Sequence, residues 1–497
     1  MASLADLLAD IRSKMPAEEG RLFGYEVGNY VGGLSKFLFD TPQDRWSDPF
    51  DVDPPHSSRF PEALRTMIAK AARWVDIVTM DEPTGAFLDE IVAGIGDTYA
   101  AGRRPIVRFL MGRSFGNFNL DTKTMLWKIA TKLEARGGAL PEMYLAQIAY
   151  QEAKSWNHAK IVAIDGCDLM TGGHNLWAPD YLEKRPIFDM SMRFEGPIAK
   201  GGHMFANALW KFVRNNNVPG TKTYSNSLRP ETRYQVGGDA PRSEWAPPAD
   251  PPPVTGTLPA MWVTNSGWGV FPNHIDKSDS SGYYAFYRAM LDGKHCRISQ
   301  QDFGARFWER TPNFTEVPLD GYPYPLICHD WHFFNRHLVD AIAMFLHRSD
   351  TTSVDMVLTS PDGRGHYNNL ISFKSIFNVV GYRMTRLRPG LSKEQAFRLL
   401  KTKFRLAKLS SGGKDTWSNG EPKRNHAKFW MVDDLFYVGS ENFYPSTVPP
   451  GIYGSIQEFG VVAQDGAAVR SMILDTYFNP MMAKAVRGEV KLEDLTW

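Results

Sequence analysis

A chain of 497 residues with 43% hydrophobic and 22% charged content can bury a large core and divide into two or more domains. Its 56 Lys and Arg nearly cancel 55 Asp and Glu, which excludes the whole-protein field that draws basic proteins onto DNA or anionic lipid and leaves only a local basic patch to do so. Cys167, Cys296 and Cys328 are isolated, unequal in spacing and odd in number, so neither a disulfide framework nor a CxxC metal site is legible.

Met1 to Gly20 mixes charged residues with short apolar stretches and has no signal-like apolar segment, and nowhere do about 18 apolar residues run together. The expectation is a protein that does not span a membrane. It is cytoplasmic as encoded, or else secreted by a non-standard route or with a removed signal. Pro61 opens an amphipathic helix with Leu64, Met67, Ile68 and Ala71 on one face, followed by a strand over Val75 to Thr79. A second helix carrying Phe87, Ile91 and Ile95 stops at Gly102 and leads to a strand over Ile106 to Leu110.

Next comes Asn157-His158-Ala159-Lys160, in a run with β character that predicts a strand with His158 and Lys160 on one face. Asp165-Gly166 signals a turn, Leu169 to Thr171 a return strand, and Gly172-Gly173-His174-Asn175 the end of the hairpin. Asp189 leads a strand-like run over Met190 to Phe194. The stretch 217 to 259, with Pro247-Pro248 and Pro251-Pro252-Pro253, reads as a linker or extended crossing. Beyond it a helix over Tyr284 to Leu291 precedes a strand over Cys296 to Gln300, and a helix with Leu338, Ile342 and Phe345 precedes one over Val354 to Thr359.

The tetrapeptide then recurs as Asn425-His426-Ala427-Lys428, 268 residues after its first copy. Asp433, Gly439-Ser440-Glu441-Asn442 and Glu458 follow at offsets matching Asp165, Gly172 to Asn175 and Asp189. One residue fewer separates Asp433 from Gly439 than Asp165 from Gly172. The organisation expected is an α/β fold of two homologous α/β/α sandwich halves with mixed sheets, residues 1–216 and 260–497, joined by the linker 217–259. They are related by a pseudo-twofold axis, with one active site at their interface, in a monomer.

Each half offers an imidazole, an ammonium and an amide. Two Lys and two Asn suit the non-bridging oxygens of a phosphodiester, with Lys160, Lys428, Asn175 and Asn442 as phosphate ligands. One histidine can attack phosphorus in line while the other protonates the leaving oxygen and later deprotonates the incoming alcohol or water. This chemistry requires no metal and no cofactor. Equivalent placement suggests that Asp189 and Glu458 each accept the Nδ1 proton of a catalytic histidine.

A lone His-x-Lys carries no information. The full set of His, Lys, Asp, Gly and Asn at fixed offsets arises by chance in roughly one chain in ten thousand, and two copies remove coincidence. Asp165 and Asp433 count among the candidate catalytic residues as motif members, yet their place at the hairpin turns favours bonding of neighbouring backbone. Gly172, Gly173 and Gly439 allow close backbone approach beneath a phosphate. His174, His203 and the remaining histidines have no repeat partner and read as surface or core residues, with His332 and His366 as candidates to line the pocket. Phe307-Trp308, Tyr322-Pro323-Tyr324 and Phe443-Tyr444 are candidates for an apolar rim around acyl chains, against the plainer reading as ordinary packing.

The doubled His-x-Lys-x4-Asp-x5–6-Gly-[Gly/Ser]-x-Asn resembles the signature of the phospholipase D superfamily over about residues 60 to 480. The Gly-Gly/Gly-Ser pair, Asn175-Leu176-Trp177, Phe188-Asp189 leading to Gly196-Pro197, and Ile298 to Asp302 are similar to the bacterial, Streptomyces-type phospholipases D. The resemblance implies His158 as nucleophile, His426 as general acid and base, and Asp189 and Glu458 orienting the histidines. It implies cleavage of a glycerophospholipid such as phosphatidylcholine to phosphatidic acid, with transfer to alcohols, at a membrane or micelle surface. The alternatives are a nuclease of the same superfamily, which the lack of a Lys/Arg cluster disfavours, and a cardiolipin-synthase-like transferase, whose usual membrane segments the chain lacks. A non-catalytic scaffold is disfavoured because every polar residue of both motifs is present.

Overall fold

The computed structural model describes residues 3–43, 59–112, 122–137, 141–150, 155–183, 185–215, 222–228, 244–249, 256–267, 269–271, 279–317, 326–360, 371–411, 413–443 and 456–497. Alternation of helix and strand produces two mixed sheets. The first runs in the spatial order Lys222–Leu228, Met143–Tyr150, Ile106–Gly112, Trp74–Thr79, Ile161–Ile164, Asp168–Gly172, Asp189–Glu195, Leu38–Thr41. Trp74–Thr79, Ile106–Gly112 and Met143–Tyr150 are parallel neighbours, and from Ile161 onward the pairing is antiparallel.

The second sheet repeats this order strand for strand. Val486–Arg487, Phe404–Lys408, Ser353–Leu358, His295–Gln300, Lys428–Val432, Leu435–Gly439, Glu458–Gln464 and Leu258–Asn265 stand where the eight strands of the first sheet stand. The parallel trio and the antiparallel hairpin recur in the same places. The duplication expected from the motifs is therefore a duplication of sheet topology.

Two features depart from the expected boundaries. Phe23–Asn29, far upstream of residue 260, adds a ninth strand to the second sheet by pairing antiparallel with Leu258–Asn265, and the helix Leu4–Lys14 packs on the helix Ser281–Asp292. Conversely Lys222–Leu228, inside the stretch expected as linker, is the edge strand of the first sheet. Position along the chain says nothing about which of two similar sheet edges a strand will join. A two-stranded ribbon, Ala305–Val317 with Leu326–Asn335, is an insertion of the second half.

Burial explains why the central strands are nearly unbroken apolar runs: Trp74–Thr79 is buried at every position because helices cover both faces. On one face of the first sheet, Val75, Ile77, Val107, Phe109 and Met111 pack against Leu64, Phe87, Ile91 and Leu126 of the helices Arg59–Ile68, Gly85–Ala100 and Thr122–Ala135. On the other, Val78, Leu110, Ile161 and Ala163 belong with Phe205, Leu209 and Trp210 of the helix Ala199–Asn215 to a core that continues into the second half. That shared core fixes the two halves against each other.

Candidate active site

Both motif hairpins are pinned at their turns. Asp165 and Gly166 take positive φ (51° and 73°), as does Asp433 (55°), the backbone a tight turn of this hand requires. The Asp165 carboxylate accepts the N–H groups of Ala72, Arg73 and Trp74 at 2.7, 3.0 and 2.6 Å, tying the turn to the start of the neighbouring strand. Asp433 does the same for Lys294 and His295, each at 3.0 Å. A histidine anchors the first turn as well. The N–H of Gly166 donates to His203 Nε2, while His203 Nδ1 lies 2.5 Å from Asp76, itself clasped by Arg108 at 2.6 and 2.7 Å. The two motif aspartates, counted among the candidate catalytic residues, therefore sit at the outer ends of the hairpins, bonded to backbone.

The histidines lie at the opposite ends, where the halves meet. His158 and Lys160 do not form the expected strand, which begins at Ile161; they occupy an extended lead-in. Its backbone pairs with the other half. His158 N–H donates to Gln457 O at 2.9 Å and Gln457 N–H to Trp156 O at 3.1 Å. The mirror arrangement has His426 N–H on Phe188 O at 2.7 Å and Phe188 N–H on Arg424 O at 2.9 Å.

This exchange crosses the acids. His158 Nδ1 lies 2.9 and 3.0 Å from the two oxygens of Glu458, and His426 Nδ1 lies 2.7 Å from Asp189 Oδ2. Each carboxylate serves the histidine of the other half. Lys160 Nζ donates to His158 O at 2.6 Å and Lys428 Nζ to His426 O at 2.5 Å, so each ammonium is folded back beside its own histidine. Lys428 also reaches Gln301 Oε1 at 3.5 Å, from the Ile298 to Asp302 segment.

His158, Lys160, His426 and Lys428 are at most 6% exposed, and burial dominates their proton affinities. Burial, then the two ammoniums, push both imidazoles well below the usual histidine range. Burial also drives Lys160 well down and Lys428 to about 8, with Glu458 and Asp189 partly opposing. The same burial raises Asp189 to about 7 and Glu458 to about 8, with Lys160 and Lys428 pulling back. The six groups thus form one mutually coupled cluster drawn from both halves.

The loops closing each hairpin complete the cluster. A Cβ on Gly173 would lie 2.0 Å from Asp189 Oδ1 and 2.8 Å from His426 O, so glycine is required for the opposite half to seat there. Gly172 and Gly439 make room for Ser191 and Gly460 of the adjacent strands. Ser440, the counterpart of Gly173, donates its hydroxyl to Glu458 Oε2 at 2.5 Å. Asn175 and Asn442 are buried; the Asn175 N–H donates to Tyr181 Oη at 3.3 Å, and Asn442 O accepts from Tyr283 at 3.2 Å.

Three residues went unread in the sequence. Tyr181 donates its hydroxyl to Asp189 Oδ2 at 3.0 Å and lies 3.2 Å from His426 Nδ1; with no counterpart in the second half, it gave no signal. Asn157 and Asn425 open the repeated tetrapeptides, where the signal was present. Each carboxamide oxygen caps the N–H two residues on (3.2 and 3.1 Å), and each Nδ2 donates to a strand-end carbonyl, Thr79 at 2.7 Å and Val357 at 3.1 Å.

Other candidates fall elsewhere. His174 is core, between Thr41 and Ser191 hydroxyls at 2.9 Å each. His332 bonds Ser375 at 3.0 Å in the inserted ribbon. Phe443 packs with Phe286 and Phe303 in the core rather than at a rim. His366, Tyr322 to Tyr324, Tyr444 and the side chains of Phe307 and Trp308 lie outside the described residues. Among the described residues no His, Cys, Asp and Glu group could hold a metal ion, and no helix is long and apolar enough to cross a membrane.

No family profile matches the chain. It is 28% identical over 495 residues to a phospholipase D of Streptomyces antibioticus, covering 93% of this chain and 84% of that one. Its fold is similar to that of a phosphatidylserine synthase from Haemophilus influenzae Rd KW20, with a TM-score of 0.50 at 11% identity over 98% of this chain and 94% of that one. The sequence likeness runs through both halves, as coverage of that extent requires, and it supports the resemblance of the doubled motif to the phospholipase D superfamily.

Proposed function

We propose that the chain is a phospholipase D, cleaving the head-group phosphodiester of glycerophospholipids such as phosphatidylcholine and passing the phosphatidyl group to water or an alcohol. The observation that carries this reading is the crossed pair of dyads. With Nδ1 of each imidazole committed to a carboxylate, Nε2 is the nitrogen each has for chemistry, and the two ammoniums lie beside them.

In the first step His158 Nε2 attacks phosphorus and the bond to the head-group oxygen breaks; His426 supplies the proton that oxygen needs to leave as an alcohol. The product is a phosphatidyl-histidine whose new positive charge faces Glu458. In the second step His426 takes the proton of water or an acceptor alcohol, whose oxygen displaces His158. Lys160 and Lys428 neutralise the phosphate, and the anion in turn favours their charged forms against the burial that lowers them. Asn175 and Asn442 contribute amide donors. Burial of both acids keeps a proton within reach of each dyad, which suits a site that must hold one imidazole neutral and the other able to donate.

The test is incubation with phosphatidylcholine micelles and ethanol, beside incubation with plasmid DNA, both in excess chelator. Phosphatidic acid and phosphatidylethanol are the expected products, with the plasmid intact. Nicked plasmid and unchanged lipid would overturn the lipid assignment, and activity restored only by a divalent ion would overturn the metal-free mechanism.

A further inference from the structure

The two dyads are alike on their carboxylate sides although the motif differs there. Ser440 Oγ accepts the Phe459 N–H at 3.1 Å and donates to Glu458 Oε2 at 2.5 Å, so one hydroxyl joins the backbone to the acid that faces His158. In the first half Gly173 takes the place of Ser440. A Cβ there would lie 2.0 Å from Asp189 Oδ1, so no serine fits beside that acid.

Tyr181 supplies the missing hydroxyl from another direction. Its Oη accepts the Asn175 N–H at 3.3 Å and donates to Asp189 Oδ2 at 3.0 Å, the same pair of bonds that Ser440 makes. The residue is fully buried at the end of the short helix Ala178–Tyr181, with its ring 4.8 Å from that of His174. The hydroxyl also lies 3.2 Å from His426 Nδ1, which is 2.7 Å from Asp189 Oδ2, so three polar atoms close a triangle. Asp189 Oδ1 accepts the Met190 N–H at 2.8 Å, while Oδ2 faces both Tyr181 and His426.

We infer that Tyr181 is a positioning residue for the His426 dyad, its hydroxyl holding Asp189 in the ionised form so that the proton His426 delivers to the leaving oxygen resides on the imidazole. The inference rests on the catalytic reading above. With two protons, the dyad is either an imidazolium beside a carboxylate or a neutral imidazole beside a carboxylic acid. Burial, which raises Asp189 to about 7, favours the second arrangement, and a donor on Oδ2 opposes it by stabilising the carboxylate. The imidazolium is the form that protonates a departing oxygen; the neutral ring is a far weaker acid. Buried tyrosine hydroxyls ordinarily find a partner for packing reasons alone. Contact with both members of a dyad, and the match to Ser440, separate Tyr181 from that case.

The experiment compares the full chain with Tyr181→Phe, which removes the hydroxyl and keeps the ring. In rapid mixing with phosphatidylcholine micelles, single-turnover release of choline should slow by about ten- to a hundredfold, the range a hydrogen bond to a charged group supplies, with KM within about twofold of wild type. The burst of p-nitrophenol from phosphatidyl-p-nitrophenol should stay within about threefold, because that oxygen leaves with little need of a proton. Equal slowing on both substrates, a loss carried by KM, or unchanged choline release overturns the inference.

Nitrogen NMR of the full chain labelled in histidine reads the proton itself, with His426 assigned by its loss in His426→Ala. On acidification both ring nitrogens of His426 should become protonated at a higher pH in wild type than in Tyr181→Phe. Lys160, Lys428, His158 and His174, the charged and titratable neighbours that act on His426 besides its partner acid, are common to the two proteins. Coincident titrations, or a lower midpoint in wild type, overturn the inference. If Tyr181→Phe does not fold, wild type alone decides: a neutral His426 ring with its proton on Nε2 instead of Nδ1 overturns it. If wild type leaves the lipid uncleaved, the catalytic reading fails while the titration still decides whether Tyr181 holds the Asp189 charge.

Discussion

His426 Nδ1 and Asp189 Oδ2 are 2.7 Å apart although 237 residues separate them in the chain, and Asp189 stands in the half that supplies the other histidine. The equivalent contact joins His158 to Glu458 across 300 residues. Neither dyad exists in an isolated half, so the site is assembled by the interface itself.

Under the proposed mechanism the crossing links the acids to different chemical steps. Asp189→Asn should impair His426, the proposed proton donor, and Glu458→Gln should impair His158, the proposed nucleophile. Each should lower kcat on phosphatidylcholine by about a hundred- to ten-thousandfold. With a p-nitrophenol leaving group, whose departure needs little protonation, Asp189→Asn should recover at least tenfold of its loss and Glu458→Gln should not. Rescue of Glu458→Gln instead would mean that the acids serve the histidines of their own halves or that the roles are exchanged.

Asp165 belongs to the motif but should behave as a structural residue. Asp165→Ala strips three backbone N–H groups of their acceptor and should cost about 1–3 kcal/mol, seen as a lower Tm. At a temperature where the variant is folded, kcat should stay within about tenfold of wild type. A loss of a thousandfold or more with Tm unchanged would place Asp165 in the chemistry.

Stability should depend on pH in two opposed ways. Asp189, Glu441 and Glu458 are raised by burial to about 7, 8 and 8, so between the ordinary carboxyl range and about pH 8 the folded chain holds protons the unfolded chain has lost. Their effect is stability lost as pH rises through that window. His158, His174 and His426 are pushed down by burial, so the unfolded chain gains protons first as pH drops below about 6.5, and stability is lost there. Glu441→Gln removes one term of the first kind. Its Tm relative to wild type should climb from pH 5 to pH 8, by an amount on the order of a few kcal/mol in stability. A Tm difference that is flat across this range would show that Glu441 is ionised in the folded state at pH 5.

Much of this was legible in the sequence because duplication made it so. The paired His, Lys, Asp, Gly and Asn offsets pointed to two like halves, and the sheets agree strand for strand. The crossing was not legible, since two symmetric copies allow each acid to serve either histidine; only the backbone exchange at Gln457 and Phe188 decides it. That exchange also explains why His158 lies outside the strand its composition suggested. Phe23–Asn29 was lost to the sequence reading for a related reason, because its partner strand begins at residue 258 and no local pattern names a sheet. Tyr181 touches the His426 dyad from a short helix with no repeat partner, and a tyrosine there looks like packing until its hydroxyl is seen on Asp189.

The central claim is that both halves build one site in which His158 alone becomes covalently bound to phosphorus. Acid-labile phosphohistidine survives alkaline quenching, so rapid mixing of the full chain with a radiolabelled short-chain phosphatidylcholine, base quench and peptide mapping reads it directly. Label should appear on the peptide containing His158 and should be lost in His158→Ala; from a labelled phosphatidyl-p-nitrophenol, whose departure needs little protonation, it should accumulate in a variant with His426→Ala, where the second step lacks its base. Label on the peptide containing His426, or undiminished label in His158→Ala, would contradict the account.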